Sequence, residues 1–445
     1  MSLNNVKGVS NKMLRRKIYD KLLAWKKSKG KKDAILLRGV RQCGKTYIVR
    51  ELGKHEYKSF IEINFIERPD MQSIFSGNLS VDNMIQQIKL SMPGCDFIPG
   101  KTLLFFDEIQ DAPNARTSLK FWTEDGRFDC IASGSLLGID YKNEVSIPVG
   151  YEQQIVMRTL DFEEFLWSVG VDVQLAEMLM PYLDGSQRVP DAMHNSLSKY
   201  LQEYMIVGGL PEVVATYVKT KDFYQVHLLQ EKILRDYQDD IAKYAINQDK
   251  IKAKQCFLSI PRQLSKENHK FQYSVVEKKA TARKFTSSLD WLHNAGLIDF
   301  AYNINSLWFP LKAYVKEDQF RVYLCDIGLL VAMYGYQMKV ALLSNALEGP
   351  AKGGIYENLV ADILVKRGEE LYYYKKEDST LEIEFLLERN CKLVPVEVKA
   401  KKGSTRSLNE LLKMEQIEKG YKLTAQNTGV VDKKITLPLY MATVI

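Results

Sequence analysis

No run in this sequence approaches the roughly eighteen uninterrupted apolar residues that a helical bilayer span needs. The Lys-rich N-terminus lacks an apolar core followed by a small-residue cleavage site, so export is not expected. The six cysteines (Cys43, Cys95, Cys130, Cys256, Cys325, Cys391) stand singly with no Cys-x-x-Cys pair, and the five histidines are equally dispersed. That pattern indicates neither a zinc site nor a disulfide framework, and the cytoplasm is the natural reading. Internal repeats and low-complexity linkers are also missing. A strong charge of either sign is absent too. The net charge of +7 is mild for 445 residues and permits contact with nucleic acid without requiring it.

What remains is a hydrophobic fraction of 46% and a charged fraction of 26%, the balance of a globular protein. A chain of this length divides into about two to four domains. Residues 12–27 repeat apolar positions at helical spacing. Then come short apolar runs suited to buried parallel strands: Ala34-Ile35-Leu36-Leu37, Phe60-Ile61-Glu62-Ile63, Leu103-Leu104-Phe105-Phe106 and Cys130-Ile131-Ala132. Helical patterns separate them, and such alternation predicts an α/β fold with a doubly wound parallel sheet. From about 155 to 250 helix dominates, with breaks at Pro181, Pro190 and Gly208-Gly209-Leu210-Pro211. Helices from 251 onward lead to one near Thr281–Asn294 and then an alternating strand, Leu297–Tyr302, a pattern that suggests a winged-helix unit. Beyond Gly349-Pro350 a helix near Glu357–Lys366 precedes strands at Leu371–Lys375, Leu381–Leu387 and Leu393–Ala400, a second α/β region.

The segment Gly39-Val40-Arg41-Gln42-Cys43-Gly44-Lys45-Thr46 matches G-x-x-x-x-G-K-[ST]. The glycines let the backbone fold tightly round phosphate oxygens with its N–H groups inward. Lys45 reaches the β- and γ-phosphates, the Thr46 hydroxyl ligates Mg2+, and the helix opening at Tyr47 aims its dipole at the same charge. A strand precedes the motif and a helix follows it, as the chemistry requires. The apolar strand that ends in Asp107-Glu108 supplies the second half of the site. Asp107 emerges at its carboxyl end, where ligands bind in open α/β sheets. There it holds the metal, while Glu108 polarises the attacking water. Ser133, at the end of the next strand, reads either as a γ-phosphate sensor or as an ordinary turn serine. No Asn-Lys-x-Asp guanine-reading motif occurs, so ATP is the expected nucleotide. Arg116 and Arg158 are the candidates for an arginine acting on a neighbouring copy.

The C-terminal strands carry a second constellation. Residues two apart on a strand share a face, so Glu382 and Glu384 lie together, opposite Leu381, Ile383 and Phe385. Glu397 and Lys399 likewise share a face, and Glu357 sits on a preceding helix. Carboxylates followed by Glu-x-Lys on a neighbouring strand are what a Mg2+-dependent phosphodiesterase site needs. A solvated strand face with Glu–Lys pairs gives the same spacing.

These residues together resemble a prokaryotic family of AAA-type ATP-binding proteins with a C-terminal domain of unknown function. The resemblance runs from Arg38–Thr46 and Phe105–Gln110 through Ser133-Gly134-Ser135, Leu160–Leu166 and Tyr204–Glu212. It continues over Tyr323–Leu330 to Tyr356-Glu357-Asn358, Glu382–Phe385 and Val396–Lys399. It implies an ATPase using ATP and Mg2+, with a last domain similar to PD-(D/E)xK nucleases in which Glu357, Glu384, Glu397 and Lys399 fall on the motif. The family usually has Asp where Glu384 stands. The extra methylene moves the carboxylate by about 1.5 Å, which Mg2+ geometry tolerates poorly, so cleavage is put in doubt. A second departure is the lack of an Arg after Gly150, where family members often have one.

The expected organisation is an N-terminal helix (1–33), a P-loop ATPase core (34–165), a helical lid (166–250), a winged-helix-like domain (251–345) and a nuclease-like domain (346–445). The basic run Glu277–Lys284 opens the presumed recognition helix and would set cations against DNA phosphates, or simply form a solvated face. The expected function is therefore ATP hydrolysis coupled to a winged-helix and nuclease-like half that acts on DNA or merely binds it. The alternative is an ATP-dependent signalling or scaffold switch that binds protein partners through an inactive nuclease-like domain.

Overall fold

A computed structural model describes residues 14–135, 150–244, 249–266, 269–377, 379–399 and 405–445. Five strands, β1 (Ala34–Gly39), β2 (Ser59–Asn64), β3 (Thr102–Asp107), β4 (Asp129–Ser135) and β5 (Glu152–Val156), form an all-parallel sheet in the order β2-β3-β4-β1-β5. Strand alternation divides its side chains between two cores. Ile35, Leu37, Leu103, Phe105 and Ile131 face one, and Ala34, Leu36, Leu104, Phe106, Cys130 and Ala132 face the other. The second core is closed by the Pro113–Asp125 helix and by aromatic contacts among Phe65, Phe75, Phe106, Trp122 and Phe128. β5 falls where helix was expected to begin.

The first core continues through the helices Phe162–Ser168, Asp191–Val207, Pro211–Thr220, Phe223–Tyr244 and Asp249–Leu264 into the C-terminal half. There an eight-stranded mixed sheet is built from β6 (Ile298–Ile304), β7 (Val315–Leu324), β8 (Leu371–Lys375), β9 (Glu382–Arg389), β10 (Lys392–Val398), β11 (Gly420–Thr424), β12 (Gly429–Val431) and β13 (Lys434–Pro438). Its order is β12-β13-β11-β10-β9-β8-β6-β7. The β6–β7 hairpin expected to be the wing of a separate unit does not stand alone. β6 pairs parallel with β8 through Ala301↔Leu371 and Tyr302↔Tyr372, so one sheet crosses the boundary expected at 345/346. The reason is backbone pairing: β6 is buried, so the N–H and C=O groups on both its edges need partners, which β7 and β8 supply.

Among the described residues no helix is long and apolar enough to cross a membrane.

Candidate functional site

The phosphate loop follows β1 directly and enters the Lys45–Glu56 helix. Gly44, the residue before the helix, has φ 97°, and Gln42 has φ 64°. Successive turns through the left-handed region point backbone N–H groups into one concavity, and only glycine takes the Gly44 conformation without strain. Gly39 is required for another reason: a Cβ there would lie 2.3 Å from the Met157 carbonyl oxygen. The buried Lys45 ammonium is centred on the loop by the carbonyls of Gly39 (2.9 Å) and Val40 (3.1 Å).

Register explains how the second half of the site assembles. Parallel pairing sets Asn64 opposite Asp107 and Ala132 opposite Phe106, so Ser133 falls beside Asp107. The Asp107 carboxylate, 2% exposed, accepts from Thr46 Oγ1 at 2.9 Å, from Asn64 Nδ2 at 3.2 Å and from the Ser133 hydroxyl. Thr46 and Asp107 thus bring two oxygens side by side at the helix N-terminus, which fits a shared place in the shell of a Mg2+ ion. Ser133 orients Asp107 in this arrangement. Glu108 follows at φ 54°, and its carboxylate accepts from Gln110 Nε2 at 2.6 Å.

Contacts from outside the sheet brace the loop, and no local pattern of residues announces them. Tyr237 donates to the Arg41 carbonyl at 2.9 Å, Gln42 bonds Asp236 at 3.1 Å, and Arg41 pairs with Asp240, all on the Phe223–Tyr244 helix. Arg16 donates to the carbonyls of Cys43 (3.1 Å) and Arg158 (2.7 Å) and pairs with Glu164 at 3.1 Å. Tyr47 is exposed, 49%, beside the loop. The two candidate arginines are committed within the chain, Arg116 to Glu152 at 2.8 Å and Arg158 to Asp299 at 3.0 Å.

The second constellation is brought together only in part. Antiparallel pairing of Phe385 with Val396 makes Glu384 and Glu397 neighbours. Lys399 lies 3.3 Å from each of them, and one Glu397 oxygen is buried without a hydrogen-bond partner. Burial, reinforced by Glu357 and Glu397 and opposed by Lys399, pushes Glu384 up to about 7. Burial also raises Glu397 against the pull of Lys399.

Glu357, on the Pro350–Lys366 helix, belongs to a different network. It accepts from Arg321 Nη1 at 2.5 Å and from the Tyr323 hydroxyl, and it meets His269 Nδ1 at 2.5 Å. Burial alone would raise this carboxyl, but Arg321 and His269 outweigh it and hold Glu357 well below the usual carboxylate range. Arg321 also pairs with Glu382, which Lys375 holds at 2.9 Å. Glu382 therefore shares Arg321 with Glu357. Among the described residues no group of three or more His, Cys, Asp or Glu side chains is placed to hold a metal ion. At Glu357 the positive charge is already supplied, by a guanidinium. Arg321 and His269 escaped the sequence reading; the one signal was an arginine inside the apolar strand Phe320-Arg321-Val322-Tyr323-Leu324.

Comparison with known proteins matches three stretches of the chain. Residues 31–166 match the family model of an AAA domain. Residues 198–339 match a domain of unknown function (DUF8612), and residues 352–441 match another (DUF4143). No protein of curated function matches the chain in sequence. Solved structures with similarity include the Walker-type ATPase paby2304 of Pyrococcus abyssi, at 12% identity over 72% of this chain and 96% of that one, with a TM-score of 0.44. The Aeropyrum pernix Orc1 protein in complex with DNA shows 14% identity over 74% and 93%, with a TM-score of 0.29. AMPPCP-bound DnaA from Aquifex aeolicus shows 13% identity over 63% and 89%, with a TM-score of 0.27. The family match, the parallel sheet and the phosphate loop together make residues 31–166 an AAA-type P-loop ATPase module, followed by a helical region and a mixed-sheet domain.

Proposed function

We propose that the chain binds Mg-ATP at the phosphate loop, hydrolyses it, and passes its nucleotide state to a C-terminal half that holds DNA without cutting it. The observation that carries the first part is the convergence of Thr46, Asn64 and Ser133 on the Asp107 carboxylate beside the loop. Phosphoryl transfer needs positioning and charge stabilisation more than covalent chemistry. Backbone N–H groups of residues 42–46 cradle the phosphates, and Lys45 places a positive charge among them. Thr46 and Asp107 would hold Mg2+, which would supply positive charge against the phosphates. Glu108, steadied by Gln110, orients the water that attacks the terminal phosphorus.

The contacts of Arg41, Gln42 and Cys43 with Asp240, Asp236, Tyr237 and Arg16 supply the route outward. A loop that shifts around a bound phosphate must move or strain the Phe223–Tyr244 helix, which packs on the rest of the chain. The DNA reading rests on the exposed Lys278, Lys279 and Arg283 at the start of the Ala282–Asn294 helix. The engagement of Glu357 by Arg321 favours binding over cleavage, and it equally favours the second reading, a switch that holds protein partners.

Phosphate release from the purified protein with Mg-ATP, with and without duplex DNA, at low and moderate salt, tests the proposal. Turnover stimulated by DNA and weakened by salt supports it, because phosphate contacts release counterions. Turnover indifferent to DNA moves the function to the protein-partner switch, and nicked plasmid in the same tubes would overturn the non-cleaving half.

A further inference from the structure

A cavity of about 710 Å3 lies between the Ala282–Asn294 helix, the β6–β7 hairpin and the end of the Pro350–Lys366 helix, away from both carboxylate sites. Its size is that of small-molecule sites, about 300–1,000 Å3. One wall is aromatic: Phe300 packs on Phe320 with ring centroids 5.0 Å apart and on Tyr302 at 5.7 Å, and Tyr302 approaches Phe320 at 6.3 Å. Such a wall attracts cations to its ring faces.

The charges around the cavity are unequal in what they have left to offer. Arg158 is taken up by Asp299 at 3.0 Å. Lys312 pairs with Glu370 at 3.4 Å, and Glu369 pairs with Arg389 at 2.7 Å. His293 turns Nδ1 to the Ile298 carbonyl at 3.0 Å. Asp290 and Glu317 have no ion-pair partner among the described residues, and both line the cavity. Both also act on one ring: burial raises the Tyr302 hydroxyl, and the fields of Asp290 and Glu317 raise it further. The free charge of the cavity is negative and is focused on an aromatic face.

We propose that this cavity binds an organic cation, an alkylammonium or guanidinium group, seated against Tyr302 and Phe320 with Asp290 and Glu317 as its counter-charges. An anion would meet the two free carboxylates there and be repelled. The group arrives either on a free amine or on a lysine or arginine side chain of a peptide, since the two share the recognised chemistry. The proposal does not rest on ATP hydrolysis, and its test omits nucleotide.

Calorimetric titration of the intact protein with spermidine, and separately with a Gly-Lys-Gly amide, reads the binding directly. The wild-type protein binds at least one of them, and which one identifies the source. The Asp290→Asn/Glu317→Gln double variant, whose substitutions are at exposed positions, binds at least ten-fold more weakly while melting at the wild-type temperature. Tyr302→Phe keeps the ring and the binding, whereas Tyr302→Leu loses it. Equal binding by the double variant, or no binding of either probe by the wild type, overturns the proposal.

Discussion

Asp107 and Glu357 are both buried carboxylates, 2% and 3% exposed, and they differ in the charge of what they touch. The Asp107 side chain is met by two hydroxyls and an amide, from Thr46, Ser133 and Asn64. None of these donors carries a charge, and Arg50 acts on Asp107 only through its field, without an ion pair. Glu357 is met by a guanidinium, an imidazole and a phenol, from Arg321, His269 and Tyr323. Its charge is neutralised within the chain. A carboxylate held by neutral donors retains a reason to bind a cation; one already facing Arg321 does not. A buried carboxylate is thus a metal-site candidate in one region and a structural anchor in the other.

The comparison breaks first at Arg321. Removing one partner of a buried pair leaves an uncompensated charge, so Arg321→Leu should lower unfolding free energy by about 3–5 kcal/mol, read from the urea midpoint. An Arg321→Leu/Glu357→Leu double variant should recover much of that loss. If Arg321→Leu is neutral, the pair does not anchor the domain.

At the other site the expected effect is on rate. Lys45→Ala, or removal of divalent metal by EDTA, should cut phosphate release by roughly 100- to 1,000-fold with little change in the melting temperature. A variant retaining wild-type turnover would remove the charge argument at Asp107.

A smaller effect separates Glu384 from both. Burial comes first among the causes that push this carboxyl up to about 7 from 4.5, with Glu357 and Glu397 adding and Lys399 opposing. A folded-state pKa above the unfolded value means stability that is fully present below about pH 4.5 and lost as pH rises through 7. Glu384→Gln removes that dependence. Its stability relative to wild type should therefore rise by about 1–2 kcal/mol between about pH 5 and about pH 8, measured by urea denaturation at both. A flat difference would mean that Glu384 is ionised without cost.

The smallest effect is at the brace of the loop. Gln42→Ala removes one partly exposed contact to Asp236, worth about 1 kcal/mol at most. It should change KM for ATP by less than about 5-fold.

The ATPase half was legible because its chemistry is local. Gly39–Thr46 is one continuous motif, and Asp107 sits at the end of a strand whose four apolar residues announce its burial. β5 was not legible, since Glu152–Val156 has two apolar residues and lies at the sheet edge. At the C-terminal site the spacing rule found Glu384, Glu397 and Lys399, which lie on adjacent strands. It grouped Glu357 with them, because no local pattern reveals that Arg321, 36 residues earlier, points into the same interior. Arg16, just ahead of the Lys17–Lys27 helix, and Asp240 brace the phosphate loop from distant parts of the chain and were invisible for the same reason: side-chain pairs across long sequence separations leave no periodicity.

The central claim is that the two regions divide the work, with chemistry at Asp107-Glu108 and none at Glu357. Phosphate release and nucleotide retention, measured together on the wild type and on Glu108→Gln with Mg-ATP, test its active half most directly. The account predicts release by the wild type, and a Glu108→Gln protein that keeps ATP bound without releasing phosphate. Release by Glu108→Gln at the wild-type rate, or none by the wild type with or without DNA, would contradict it.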